Sequence, residues 1–134
     1  MAGQRVLLIE DDHVFAELLS RQFESRGIPF VHCGTGKEAL DTFAKDGAFD
    51  VILLDLSLPD IDGLDILKRV RAVPALAAIP VVVISNFAVE QDIAWGKDLG
   101  IKQFVKKISV MPVDIVDIAL KACESPAPQA AVQS

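Results

Sequence analysis

Apolar residues recur along the chain in five short runs: Val6–Ile9, Phe30–Cys33, Val51–Leu54, Val81–Ile84 and Gln103–Lys106, the last the weakest. Runs this short, bounded by polar residues, read as strands buried on both faces. Each precedes a segment with helical spacing. Val14, Phe15, Leu18, Leu19 and Phe23 form an i, i+4 stripe closed by Arg26-Gly27, a C-terminal stop. Thr35 can cap a second helix that carries Ala39, Leu40 and Phe43 and ends at Asp46-Gly47. Pro59-Asp60-Ile61-Asp62-Gly63 reads as a turn, after which Ile66, Leu67 and Val70 form a stripe ending before Pro74. A fourth helix, Val89 to Leu99, has little apolar anchoring beyond Ile93. A fifth begins at Pro112, a favoured first-turn residue, and packs through Ile115, Ile118, Ala119 and Ala122. Strand and helix alternate five times. That predicts an α/β domain with a doubly wound, five-stranded parallel sheet covered by five helices. Residues 125–134 carry no periodicity and read as a disordered tail or linker, leaving 1–124 as the folded domain.

Length and charge narrow the partners. The 134 residues suffice for one domain. Thirteen Lys and Arg against nineteen Asp and Glu give a net charge of −6. This argues against nucleic acid or an anionic membrane, either of which calls for a basic footprint. Hydrophobic residues make up 51% of the chain and mean hydropathy is +0.40. Yet no apolar stretch approaches the ~20 residues that span a bilayer, so the hydrophobicity belongs in a core. The start of the chain, where Glu10-Asp11-Asp12 closes a short apolar run, is no secretory signal. Cys33 and Cys123 are too few for a disulfide scaffold and read as reduced thiols of a cytoplasmic protein.

The residues that terminate the strands carry the chemistry. The first strand stops at Glu10-Asp11-Asp12, the third at Asp55, the fourth at Ser85-Asn86 and the fifth at Lys106-Lys107. In an open parallel sheet all carboxyl ends lie on one edge, where such folds bind ligands. Two carboxylates about 4 Å apart repel by ~4 kcal/mol at an effective dielectric near 20. Lys106 or Lys107 can offset part of that, and a hard divalent ion held by oxygens, Mg²⁺, the rest. Carboxylate, metal, amine and hydroxyl together suit phosphoryl transfer to a carboxylate. Singly, each residue has a plainer reading: Asp12 as a helix cap, Ser85 as a turn former, the lysines as solvated.

Competing motifs fail on their own residues. Gly34-Thr35-Gly36-Lys37-Glu38-Ala39 superficially meets a dinucleotide fingerprint, but leaves the pairing of Asp55 with Glu10-Asp11-Asp12 unexplained. A flavin phosphate would be repelled by that same acidic loop. A calcium loop at Asp60-Ile61-Asp62-Gly63 would have Leu58 and Arg69 at ligand positions. His13 and His32 show no metal spacing, and Phe15, Phe23 and Phe43 read as core.

Asp55-Leu56-Ser57-Leu58-Pro59-Asp60-Ile61-Asp62-Gly63 resembles the phosphoacceptor segment of two-component response-regulator receiver domains, and the likeness spans about residues 5–123. Glu10-Asp11-Asp12 is similar to the family's acidic run after the first strand, and Gly36-Lys37-Glu38-Ala39-Leu40 to the start of its second helix. Ser85 falls at the Ser/Thr switch position and Phe104 at the aromatic one; three residues beyond Phe104 is Lys107 rather than Lys106. The resemblance implies a flavodoxin-like, chemotaxis-regulator fold with strand order 2-1-3-4-5. It implies that Asp55 accepts a phosphoryl group from the phosphohistidine of a sensor histidine kinase or phosphotransfer protein. Asp12 and Asp55 then bind Mg²⁺ directly, with the Ser57 backbone carbonyl, and Asp11 supports through water. Lys107 pairs with Asp55 and later with the phosphoryl oxygens, one of which the Ser85 hydroxyl bonds. Inward movement of Ser85 lets Phe104 rotate, remodelling a face of fourth helix, fifth strand and fifth helix that meets a downstream protein. The expectation is a signalling switch, not a metabolic enzyme, which catalyses only its own phosphorylation and dephosphorylation. The runner-up is a receiver-like interaction module that never turns over phosphate. Three positions depart from the family pattern. Asn86 stands where Ala or Gly is usual, Phe104 lacks the hydroxyl of the commoner tyrosine, and Ile108 replaces the usual proline, which removes the ordinary ground for a cis peptide there.

Overall fold

Successive residues of a strand point to opposite faces of its sheet, and in Val6–Ile9, Val51–Leu54 and Val81–Ile84 both sets are apolar. The computed structural model describes residues 5–45, 47–86 and 99–124. Strands β1 (Val6–Ile9), β2 (Phe30–Cys33), β3 (Val51–Leu54), β4 (Val81–Ser85) and β5 (Ile101–Lys106) form one parallel sheet in the order β2-β1-β3-β4-β5. The described helices are α1 (His13–Ser25), α2 (Gly36–Lys45), α3 (Gly63–Ala72) and α4 (Pro112–Cys123), with a 3₁₀ turn at Lys107–Ser109. Leu7, Ile9, Ile52, Leu54, Val81 and Val83 pack with Ala39 of α2 and Leu64, Ile66, Leu67 and Val70 of α3. Their neighbours Val6, Leu8, Val51, Leu53, Val82 and Ile84 pack with Ala16, Leu19 and Phe23 of α1 and Ile115, Val116 and Ala119 of α4. Each fully buried side chain of this kind stabilises by roughly 1.5–3 kcal/mol, so the two layers hold the strand ends in fixed register.

Local signals set the helix ends. Asp12 Oδ1 accepts from the Phe15 N–H at 3.1 Å and opens α1, while Gly27, at φ +70°, follows its C-cap residue Arg26. Thr35 Oγ1 accepts from the Glu38 N–H at 3.1 Å at the start of α2, and Asp62 Oδ1 from the Leu64 N–H at 3.0 Å at the start of α3. The first turn of α2 has a second acceptor from outside. Both Asp60 oxygens take its leading N–H groups, Gly36 at 2.9 Å and Lys37 at 3.0 Å.

The strands extend slightly beyond the predicted runs: β4 includes Ser85 and β5 begins at Ile101. The predicted fourth helix lies outside the described residues apart from Leu99, which sits in a turn, and so does the segment 125–134. Arg71 ties α3 to the start of β5. Its half-buried guanidinium donates to the carbonyls of Leu99 (2.6 Å), Ile79 (2.7 Å), Ala77 (3.2 Å) and Gly100 (3.3 Å), and burial lowers its pKa. Among the described residues no helix is long and apolar enough to cross a membrane.

Candidate functional site

Parallel register places Ile9 beside Leu54, and Leu54 beside Val83. The residues that follow these strands therefore emerge side by side on one edge. The Asp55 N–H donates to Ile9 O at 2.9 Å and the Glu10 N–H to Cys33 O at 3.0 Å, so both acids are still held by the sheet. Glu10 is fully buried and Asp55 only 4% exposed. One carboxylate oxygen from each of Glu10, Asp11 and Asp55 lies within 4.8 Å of the others. Lys107 Nζ reaches in from the end of β5, 2.7 Å from Glu10 Oε1 and 3.7 Å from Asp55 Oδ2. Its ammonium also lies over the Phe15 ring, 4.7 Å from the centroid. These acids and Lys107 line an opening of about 220 Å³ together with Asp12, Ser57, Ser85 and Asn86. A larger groove of about 490 Å³ between α2 and α3, lined by Leu40, Phe43, Val70 and Leu76 among others, contains no carboxylate. The acid cluster lines the smaller one.

Three carboxylates face one ammonium here. Burial pushes the Glu10 carboxyl up to about 7, and repulsion from Asp55 adds to this; Lys107 and the Asp12 N–H, which donates to Oε2 at 3.0 Å, only partly offset it. Burial would lower the Lys107 ammonium, but Glu10, with Asp55 and Asp12 beyond it, outweighs that and holds it above its usual value. The carboxylates thus outnumber the one ammonium beside them, and the clustered ligand atoms of Glu10, Asp11 and Asp55 are all oxygens. That donor set fits a hard divalent cation such as Mg²⁺.

Asp12, expected as a direct metal ligand, lines the opening, is exposed, and accepts the Phe15 N–H through Oδ1 at the α1 N-terminus. Glu10, which carried no separate role, is buried beside Asp55 in the cluster, which the exposed Asp11 joins. The signal was present: a residue directly after a buried strand inherits its burial, and an Asp three residues before Phe15 has N-cap spacing. Asp55 Oδ1 accepts from the Ser57 N–H at 3.1 Å. Ser85 is buried, and Lys106, its partner across β4 and β5, is exposed. Phe104 is half-buried against the α2–α3 layer. The Lys107–Ile108 peptide is trans. Phe15, read as core, is half-buried and contributes its ring face to Lys107.

The chain matches the family model of the response regulator receiver domain over residues 6–119. It belongs to that family. This receiver domain is 37% identical over 103 residues to the transcriptional activator protein PfeR of Pseudomonas aeruginosa, a match covering 77% of this chain and 32% of PfeR. Its fold is similar to a CheY-like receiver domain protein of Methanospirillum hungatei, with a TM-score of 0.84 at 19% identity, covering 92% and 95% of the two chains. It is also similar to the phosphorylated cyanobacterial phytochrome response regulator RcpA, with a TM-score of 0.76 at 27% identity and coverage of 89% and 95%. The chain spans less than half the length of curated relatives it matches, 43%, 32% and 43%. As a receiver domain it is a signalling switch of two-component systems, a class that interacts with histidine kinases or phosphotransfer proteins and takes Mg²⁺ at an acidic pocket. The reading as an inert interaction module is not favoured.

Proposed function

We propose that Asp55 is the phosphoacceptor and that this receiver domain takes its phosphoryl group from a kinase or phosphotransfer phosphohistidine. The observation that carries the reading is the buried Asp55 carboxylate 3.7 Å from Lys107 Nζ and within 4.8 Å of the Glu10 and Asp11 oxygens. An Asp55 oxygen attacks phosphorus, the new O–P bond forms as the P–N bond to the donor histidine breaks, and the leaving imidazole takes up a proton. Lys107 follows the charge from the carboxylate to the phosphoryl oxygens. Its position is fixed beforehand by Glu10 and the Phe15 ring, so little reorganisation is needed at the moment of transfer. Ser85 donates its hydroxyl to one phosphoryl oxygen. Glu10, Asp11 and Asp55, with the Ser57 backbone carbonyl, would hold Mg²⁺, which when bound neutralises the surplus negative charge of the site; Asp12 serves as helix cap.

In this reading Ser85 and Phe104 form the switch, and the downstream protein meets the face that includes β5 and α4. Residues 1–124 form the receiver unit, 125–134 a tail or linker, and the site of action is the cytoplasm. The domain catalyses its own phosphorylation and dephosphorylation and contacts neither nucleic acid nor membrane directly. Incubation with phosphoramidate and Mg²⁺ tests the core of it. Peptide mass spectrometry is expected to find one phosphoryl group on Asp55, absent in Asp55→Asn and after chelation. A phosphoryl group on another residue, or none on the parent, overturns the assignment.

A further inference from the structure

The loop that carries Lys107 departs from the family pattern at Ile108, and the loop facing it departs at Asn86. The structure joins the two departures. The Ile108 N–H donates to Asn86 Oδ1 at 3.0 Å. A proline at 108 has no N–H to give, and an alanine or glycine at 86 has no side-chain acceptor to receive it. The bond thus needs both residues as they stand.

The bond sits where the backbone runs out of partners. Strands β4 and β5 pair as far as Ser85 and Lys106. Beyond that rung the chains part, and the Asn86 side chain takes the place of the next carbonyl. The 3₁₀ turn Lys107–Ser109 receives no side-chain cap from its own N-cap residue, Lys106, and the leading N–H groups of any helical turn lack partners within it. Asn86 supplies one across the sheet. The Ile108 side chain is 78% exposed, so packing holds residue 108 only weakly and the backbone bond has a correspondingly larger share.

We propose that Asn86 is a positioning residue: by clamping the Ile108 N–H it fixes the peptide next to Lys107 and keeps that ammonium between Glu10 and Asp55. This deepens the phosphoacceptor reading and rests on it wherever phosphorylation is the readout. The fixed distances of 2.7 and 3.7 Å from Nζ to the two acids need a loop that does not drift. A trans Lys107–Ile108 peptide without proline has no ring to stiffen it, and the side-chain bond restores the constraint.

Four proteins test this: the parent, Asn86→Ala, Ile108→Pro and the double variant, with Asn86→Asp as the conservative control that keeps an acceptor oxygen. Amide hydrogen exchange at Ile108 is expected to be roughly 5-fold faster or more in Asn86→Ala, the change that loss of one neutral hydrogen bond gives, and to stay slow in Asn86→Asp. The ε-methylene protons of Lys107, shifted by the Phe15 ring in the parent, are expected to move toward unshifted values in Asn86→Ala. Phosphorylation by phosphoramidate is expected to slow several-fold in Asn86→Ala, while the same change in the Ile108→Pro background has no further effect. Unchanged Ile108 exchange, an unmoved Lys107 resonance, or simple additivity of the two variants overturns the clamp. If the parent itself takes no phosphoryl group, the phosphoacceptor reading fails, and exchange and the Lys107 shift still decide the clamp.

Discussion

Glu10 prolongs the hydrogen bonding of β1 by one residue, through its N–H to Cys33 O, and this turns its side chain into the crevice. Two residues later the chain has bent into α1, and Asp12 faces the free N–H groups of the first turn. Between them Asp11 is exposed, yet one of its oxygens faces the cluster. Identical chemistry at three consecutive positions is divided by backbone direction alone. Lys107 depends on a similar local detail. Its ammonium is 2.7 Å from Glu10 and stacks on Phe15, so the ring bounds the side on which no acid stands. Phe15→Leu keeps the apolar bulk and removes the electron-rich face, a contact worth ~0.5–2 kcal/mol at partly desolvated sites. The expected outcome is a stability loss of that size by urea unfolding, together with several-fold slower phosphorylation of Asp55. Phe15→Tyr, which keeps the ring face, is expected to retain both properties.

Elements meet at this site through the loop after β3. Asp60 reaches from that loop to the N-terminus of α2 and accepts from Gly36 and Lys37, and these bonds lower its pKa below 3.8. A carboxylate depressed by folding contributes stability that is present above its unfolded pKa and lost as pH falls through the folded one. The parent is therefore expected to lose stability more steeply below about pH 3.8 than Asp60→Asn does, when unfolding is followed from pH 6 to pH 2. Gly63, the first residue of α3, lies against the strand end that bears Asp55. A Cβ there would fall 2.6 Å from Leu56 Cα and 2.9 Å from Asp55 O, both backbone atoms with no rotamer to yield. Gly63→Ala is expected to cost ~1–3 kcal/mol in chemical denaturation and to slow phosphorylation of Asp55, because relief of the clash displaces the strand end. Strands β1, β3 and β4 and the described helices were legible because each is an apolar run or a regular stripe, and Asp55 stood out because it closes one of those runs. The burial of Glu10 and the capping by Asp12 were legible only in part: N-cap spacing to Phe15 is in the sequence, but not how far β1 goes on pairing. The Asn86–Ile108 bond, which joins residues 22 positions apart, was not legible, although both had been visible as departures from the family pattern.

At the scale of the whole molecule, the central strands β1, β3 and β4 are buried on both faces, so their side chains are committed to packing and their polar work is done at the edge formed by the carboxyl ends. That edge gathers Glu10, Asp11 and Asp55 around a single cation, Lys107, against a background net charge of −6. Folding without a divalent ion thus has to hold like charges together, two of them at buried positions. A ligand that binds only the folded state stabilises it by about 2.7 kcal/mol when present at a hundred times its Kd. Urea unfolding in Mg²⁺ and in EDTA is expected to differ by that amount for the parent. Asp55→Asn removes one of the repelling charges, so the EDTA sample is expected to become more stable and the Mg²⁺ increment to shrink. Lys107→Met acts in the opposite sense. It leaves Glu10 and Asp55 without their cation, and losing one partner of a buried pair costs ~3–5 kcal/mol, with the lower end apt for a partly exposed lysine. The increment from Mg²⁺ is then expected to grow, because the ion meets charge that nothing else offsets. Equal increments in all three proteins would mean that the ion binds elsewhere and that the acid cluster is balanced by the protein alone.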